Sequence, residues 1–141
     1  MTSIDFYSRV ADPLRFAAQL AAKAVGQHGS ARVLTADAAS TAALDRLLWQ
    51  ESDVSFLPHC RLGHPDANET PVLIDESCEH AGPAAVLINL HPEPPPFFSR
   101  FERLIEIVGA QEHELAAGRA RYRFYRERGY ALENHDRAGF D

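Results

Sequence analysis

Between positions 119 and 130 the chain reads RARYRFYRERGY, with five arginines and one glutamate. At about 100° per residue, Arg119, Tyr122, Arg123 and Arg126 stand at i, i+3, i+4 and i+7 of a helix and share one face, with Leu115 one turn earlier on that side. Guanidinium forks grip a carboxylate bidentately, and an adjoining tyrosine ring offers an apolar wall. Together they suit a peptide that ends in an aromatic residue. The plainer alternative is a solvated basic face whose surface ion pairs contribute little. Ala116, Ala120 and Phe124 form a neighbouring small, apolar stripe, expected to lie on the rest of the fold and to leave the arginines at the surface. Arg121 and Arg128 are expected to point elsewhere.

The charge balance narrows what such a face can bind. The chain has 14 Lys and Arg against 20 Asp and Glu, a net charge of −6, so the +4 of residues 119–130 leaves the remainder at −10. Backbone affinity for nucleic acid needs many neutralised phosphates, which an acidic protein supplies poorly. One basic patch can still steer and hold a small acidic partner.

Other chemistry has weaker support. A nucleotide site needs glycines between a strand and its helix, so that backbone N–H groups approach the phosphates. The corresponding turns read Tyr7-Ser-Arg-Val-Ala-Asp-Pro13, Thr35-Ala-Asp-Ala38 and Leu90-His-Pro-Glu-Pro-Pro-Pro96, and the last replaces donors with prolines. Val72-Leu-Ile-Asp-Glu76 has the form of a strand ending in a magnesium-binding acid, but no GKS or GKT loop accompanies it. His59, Cys60 and His64 stand close in sequence and Cys78 and His80 flank a loop, without a C-x-x-C or H-E-x-x-H spacing. No G-x-S-x-G turn points to a hydrolase. No cofactor, metal or catalytic residue is expected, and Cys60 and Cys78 read as free thiols.

The elements that must position the arginine face follow from periodicity. Ile4–Tyr7 reads as a strand, and Asp12-Pro13 opens a helix to about Gln27, ended by Gly26 and Gly29. Arg32–Thr35 is a second strand. A second helix runs from Ala38 to about Gln50, with Ala43, Leu44, Leu47 and Leu48 at helical spacing. Pro71–Ile74, Ala85–Leu90 and Leu104–Val108 are branched, apolar runs of the kind buried in a parallel sheet, and helical patterns follow the last two. The pattern predicts a single α/β domain over residues 1–141, Rossmann-like, in three layers, with a mainly parallel sheet and no phosphate-binding loop. No run of about eighteen apolar residues and no signal peptide is readable, so the expected location is cytoplasmic.

A second anomaly is Trp49, the only tryptophan. If Leu44, Leu47 and Leu48 face the core, Trp49 projects among Asp45, Arg46 and Gln50 on the polar side. Either the helix frays and the ring folds back onto the domain, or Trp49 joins Phe56, Leu57 and Pro58 in a hot spot for a partner protein.

Taken in order, Asp5-Phe-Tyr7, Ala43-Leu-Asp-Arg-Leu-Leu-Trp49, Ser55-Phe-Leu-Pro-His59, Ala85–Leu90, Arg119–Arg126 and Gly129-Tyr130 resemble the chi subunit of the bacterial DNA polymerase III holoenzyme, a clamp-loader accessory protein, over nearly the whole chain. The resemblance implies a Rossmann-like adaptor without enzymatic activity and with two partners. One is the acidic C-terminal tail of the single-stranded-DNA-binding protein, which ends in proline and phenylalanine. Arg119 matches the position that grips the terminal carboxylate, Tyr122 and Val108 would wall the phenylalanine pocket, and Arg123 and Arg126 would attract the upstream aspartates. The other partner is psi, which links chi to the clamp loader, expected at Trp49, Phe56, Leu57 and Pro58. One departure is Leu115, which stands where the best-known members have a basic residue. The alternative to the adaptor is a direct single-stranded nucleic-acid-binding module that uses the arginine face, with stacking from Tyr122 and Tyr125.

Overall fold

The computed structural model describes residues 2–51 and 57–139. Strands β1 (Ser3–Val10), β2 (Ala31–Leu34), β3 (His59–Arg61), β4 (Val72–Asp75), β5 (Val86–Asn89), β6 (Arg103–Gly109) and β7 (Leu132–Asp136) form one sheet in the order β3-β4-β2-β5-β6-β1-β7. Every neighbouring pair is parallel. Among the described residues three helices, α1 (Pro13–His28), α2 (Ala38–Gln50) and α3 (Glu112–Glu127), complete an α/β, Rossmann-like arrangement in three layers. Among the described residues no helix is long and apolar enough to cross a membrane.

The local signals do what their chemistry requires. Asp12 caps α1 by accepting from the Arg15 N–H at 3.3 Å, Pro13 occupies the first turn, and Gly29, at φ 91°, closes the helix. Asp37 caps α2 through the Ser40 N–H at 2.8 Å. The five predicted strands are present, and β3 and β7 go beyond them. The helix expected after the fourth predicted strand is a single 3₁₀ turn, Phe98–Arg100. Pro92, Pro94, Pro95 and Pro96 stand between, and each disfavours helical backbone at the residue before it, so no longer helix starts along this run.

Alternation along the strands divides the core into two layers. On one face Ile105 and Ile107 of β6, Val33 of β2 and Ile74 of β4 pack with Ala17, Ala21, Leu44 and Leu48 of α1 and α2. On the other, Ile4 and Phe6 of β1 and Leu104 and Val108 of β6 meet α3. Away from α3 this second face is covered by loops. Phe97, Phe98 and Phe101 supply its apolar cover. Arg32, fully buried in β2, donates to the carbonyl oxygens of Asp75, Ser77, His80 and Ala81 at 2.6–3.2 Å and holds that loop over the sheet.

The contact that seats α3 is polar. Glu106 of β6, fully buried, accepts from Arg121 Nε at 2.7 Å and from Asn89 Nδ2 at 3.0 Å on Oε1. Its Oε2 accepts from the Tyr125 hydroxyl at 2.5 Å and again from Asn89 at 3.0 Å. Arg121 also donates to the Pro92 carbonyl at 2.9 Å, which ties the loop after β5 to α3. Burial pushes the Glu106 carboxyl up from its ordinary range, against the opposing charge of Arg121 and the hydrogen bonds from Tyr125 and Asn89. Burial and the neighbouring carboxylate also push the Tyr125 phenol up, which keeps it a donor.

This network corrects the helical wheel. The residues of α3 that are buried are Gly118, Arg121 and Tyr125, at i, i+3 and i+7, while Ala116 and Ala120 are exposed. Arg121 faces inward because a buried carboxylate on the underlying strand supplies a partner, which no apolar stripe on the helix reveals. Gly118 lets the helix come close: a Cβ there would lie 2.7 and 2.8 Å from the two methyl carbons of Val108.

Three outcomes follow for urea unfolding. Glu106→Ala leaves Arg121 buried without its counter-charge and is expected to cost about 3–5 kcal/mol. Tyr125→Phe removes one hydrogen bond to a charged group, about 1.5–3 kcal/mol. Gly118→Ala gains about 1 kcal/mol of helix propensity, but the overpacking against Val108, about 1–3 kcal/mol, is expected to leave a net loss, seen as a lower midpoint at unchanged slope.

Candidate functional site

Seating α3 by Arg121 and Tyr125 sets what the helix turns outward. Arg119, Arg123 and Arg126 are exposed, and among the described residues none of their three guanidinium groups takes part in a hydrogen bond or ion pair. Tyr122 is half-buried at the edge of this face, its ring 5.1 Å from that of Phe6 in an edge-to-face contact. Arg128 lies with its guanidinium 3.5 Å from the centre of the Phe124 ring and donates to the Phe124 carbonyl at 3.0 Å.

Between α3 and the strands β1, β6 and β7 lies an open depression of about 330 Å³. Phe6, Val108, Leu115, Gly118 and Tyr122 make its floor and walls, Ser8 and Asn134 its polar edge, and Arg119 the one cation on it. Val108, Arg119 and Tyr122 are thus brought to one cavity. Arg123 and Arg126 stay outside its lining, farther along the exposed face of the helix. Leu115 gives the depression an apolar wall on the side where a basic residue is expected from the resemblance, so the positive charge is displaced towards the C-terminal end of α3.

Phe6, Ser8 and Asn134 are absent from the sequence-based site. The alternation of Ile4 and Phe6 was a legible sign that both share a face of β1. That the face lies under α3, with β7 beside it, depends on strand order, which carries no local signature. Gly118 was equally silent, since its role is the approach of the helix to Val108.

The other candidate surface starts from α2, which continues unbroken through Gln50. Trp49 is 63% exposed and so does not fold back onto the domain. Its ring lies 4.7 Å from that of His59, whose Nδ1 is 2.9 Å from the Leu57 carbonyl oxygen. His59 Nε2 is 3.2 Å from Asp45 Oδ1, close enough for an ion pair but without hydrogen-bond alignment. Leu57 packs partly into the core and Pro58 is exposed. Phe56 lies outside the described residues.

The chemistry that the sequence supports weakly has no assembly at these places. Among the described residues, His59, Cys60, His64, Cys78 and His80 are not gathered as a metal-binding group of three. Asp75 and Glu76 are engaged within the fold: Asp75 accepts from the Leu62 and Ser77 N–H groups, and Glu76 from Thr41 Oγ1 and Arg61. The amino end of α3, the kind of helix end that can receive an anion, is taken by the chain's own Glu114. Its carboxylate accepts from the Gln111 N–H at 3.1 Å and lies over Gly109.

Comparison with known proteins places this arrangement. A family described as "DNA polymerase III chi subunit, HolC" matches residues 1–133. The chain is 38% identical over 139 residues to the DNA polymerase III subunit chi of Pseudomonas aeruginosa, covering 96% of each protein. A match of that extent shows that the chain belongs to the DNA polymerase III chi subunit family, the accessory, non-catalytic subunits of the holoenzyme.

Proposed function

We propose that this protein is a cytoplasmic replication adaptor, in which the depression beside α3 receives the acidic C-terminal tail of the single-stranded-DNA-binding protein. A second surface, around Trp49, Phe56, Leu57 and Pro58, attaches the adaptor to psi and through it to the clamp loader. The observation that carries the first part is Arg119: an exposed guanidinium without a protein partner among the described residues, on the rim of an apolar depression. A chain end is the ligand that presents a carboxylate and an apolar side chain one residue long at the same place. In this reading Val108 and Tyr122 wall the terminal phenylalanine, Arg119 grips the carboxylate, and Arg123 and Arg126 draw in the aspartates before it.

The magnitudes fit a reversible contact. A charge-assisted hydrogen bond to the carboxylate contributes about 1.5–3 kcal/mol and a buried phenylalanine about as much again, offset by the ordering of a flexible tail. Several such terms reach the region of 1 μM, which corresponds to about −8.2 kcal/mol. Arg123 and Arg126 act through solvent and are screened by salt, while the clamp and the pocket are less so.

Trp49 supports the second part. A large aromatic ring held outward on a regular helix, braced by a buried histidine, is the side-chain type that dominates interface energies. Direct binding of single-stranded nucleic acid is disfavoured by Tyr125, fully buried with its hydroxyl on Glu106 and so withdrawn from stacking.

A fluorescently labelled tail peptide tests the clamp. Arg119→Ala is expected to weaken binding by about 10- to 100-fold, and amidation of the peptide's terminal carboxylate by a similar factor. Wild-type affinity for the amidated peptide would exclude the clamp. Trp49→Ala is expected to leave tail affinity unchanged and to weaken capture of psi by about 30-fold, the effect of an interface hot spot of roughly 2 kcal/mol. Equal loss of both activities would mean that Trp49 serves folding instead.

A further inference from the structure

On the face of the sheet turned away from α3, the first and last strands gather a second set of groups. Their parallel register sets Asp5 opposite Glu133 and Tyr7 opposite His135. The odd positions of both strands point to the same side. His135 Nε2 is 3.1 Å from Asp5 Oδ1 and 4.0 Å from Glu133 Oε2. The imidazole is stacked on the Tyr7 ring, with centroids 4.7 Å apart and planes at 21°, so its Nε2 edge is directed at the two carboxylates. Asp5 Oδ2 is 3.5 Å from Arg103 Nη1, which orients the carboxylate and leaves Oδ1 towards His135. Beside these groups is a cavity of about 200 Å³, lined also by Lys23, Gln27 and His28.

We propose that Asp5, Glu133 and His135 hold one divalent transition-metal ion of the zinc class, as a clip between β1 and β7. Their ligand atoms all lie within 4.8 Å of one another, and among the described residues no other three His, Cys, Asp or Glu side chains do so. Bonds of about 2.0–2.1 Å to imidazole nitrogen and about 2.0–2.2 Å to carboxylate oxygen place those two atoms about 2.9–3.4 Å apart for angles between right and tetrahedral. The 3.1 Å between His135 Nε2 and Asp5 Oδ1 falls within that span. Glu133, whose side chain is 78% exposed, needs only a small rotation to close on the same point.

Binding exchanges one contact for another. The imidazole gives up its Nε2 contact with Asp5 and presents the Nε2 lone pair, carrying its proton on Nδ1. Two carboxylates directly opposite on adjacent strands repel, and a cation between them removes that repulsion. Arg103 sits on the far oxygen of Asp5, where it supports the ligand as outer partners do while its charge weakens affinity. Two oxygens and one imidazole nitrogen suit zinc or its divalent neighbours and not a soft monovalent ion, and three protein ligands leave a position for water.

Calorimetric titration of tag-free, full-length protein with zinc chloride, alongside thermal unfolding, tests the clip. One ion per chain and a rise in Tm at saturating zinc are expected. His135→Gln and Glu133→Gln are each expected to weaken binding by at least about 10-fold. Glu133 is exposed, so its substitution separates loss of a ligand from loss of the fold. Titration with cobalt(II) should show no thiolate charge-transfer absorption. Absence of saturable binding, stoichiometric binding that neither substitution changes, or a thiolate band that assigns the ion to Cys60 or Cys78 would each overturn the proposal.

Discussion

The carboxylate of Glu106, carried into the interior by the middle of β6, is the constraint around which this fold is arranged. A buried anion needs donors on both oxygens, and here it takes them from β5 through Asn89 and from α3 through Arg121 and Tyr125. Apolar packing alone would let a helix rotate on a sheet at little cost, because one greasy contact resembles another. The two directed hydrogen bonds from α3 do not allow this, since any rotation of the helix would strand a charge in the core. The azimuth of α3 is therefore set by its polar side, and the faces left for solvent are determined with it.

Rotation matters because Arg119 and Arg121 are two residues apart and point to nearly opposite sides of the helix. The inward arginine is consumed by the fold, and the outward one is left without a partner among the described residues. Gly118 adds the second coordinate, depth, by allowing α3 to descend onto Val108. Azimuth and depth together place Arg119 and Tyr122 at the rim of a depression whose floor is Phe6 and Val108. A carboxylate buried on one strand and a glycine on a helix thus decide the shape of a surface to which neither contributes a charge.

The same two residues mark what sequence reasoning could reach. Strand and helix positions were legible wherever capping or apolar runs spoke locally, as at Asp12-Pro13 and Leu104–Val108. Arg119, Tyr122 and Val108 were placed together by the resemblance, and the exposure of Arg119, Arg123 and Arg126 by the spacing. Arg121 was misplaced because the pattern of α3 was judged by hydrophobicity, and an arginine counts there as an outward residue unless its partner on another element is known. β7 was missed for a related reason. Leu132–Asp136 is polar apart from Leu132 and becomes a strand by pairing with β1, a property of the sheet's order and not of its own composition.

In the proposed function, electrostatics gives the helix face its attraction for an acidic chain and not its selectivity. Outside residues 119–130 the chain carries a net charge of −10, so an acidic segment approaching at random meets repulsion over most of the surface. Basic charge is most concentrated on α3, five of the chain's fourteen Lys and Arg lying within residues 119–130. That field orients an anionic chain without naming its sequence, and it is shared by any polyanion. Discrimination must come from the part of the surface that charge does not describe, the apolar hollow next to Arg119. Leu115 sharpens the division, since an apolar residue on the near wall moves the basic charge away from the hollow and towards Arg123 and Arg126. In the proposed function, the arginines govern how fast an acidic chain arrives, and the hollow governs which one stays.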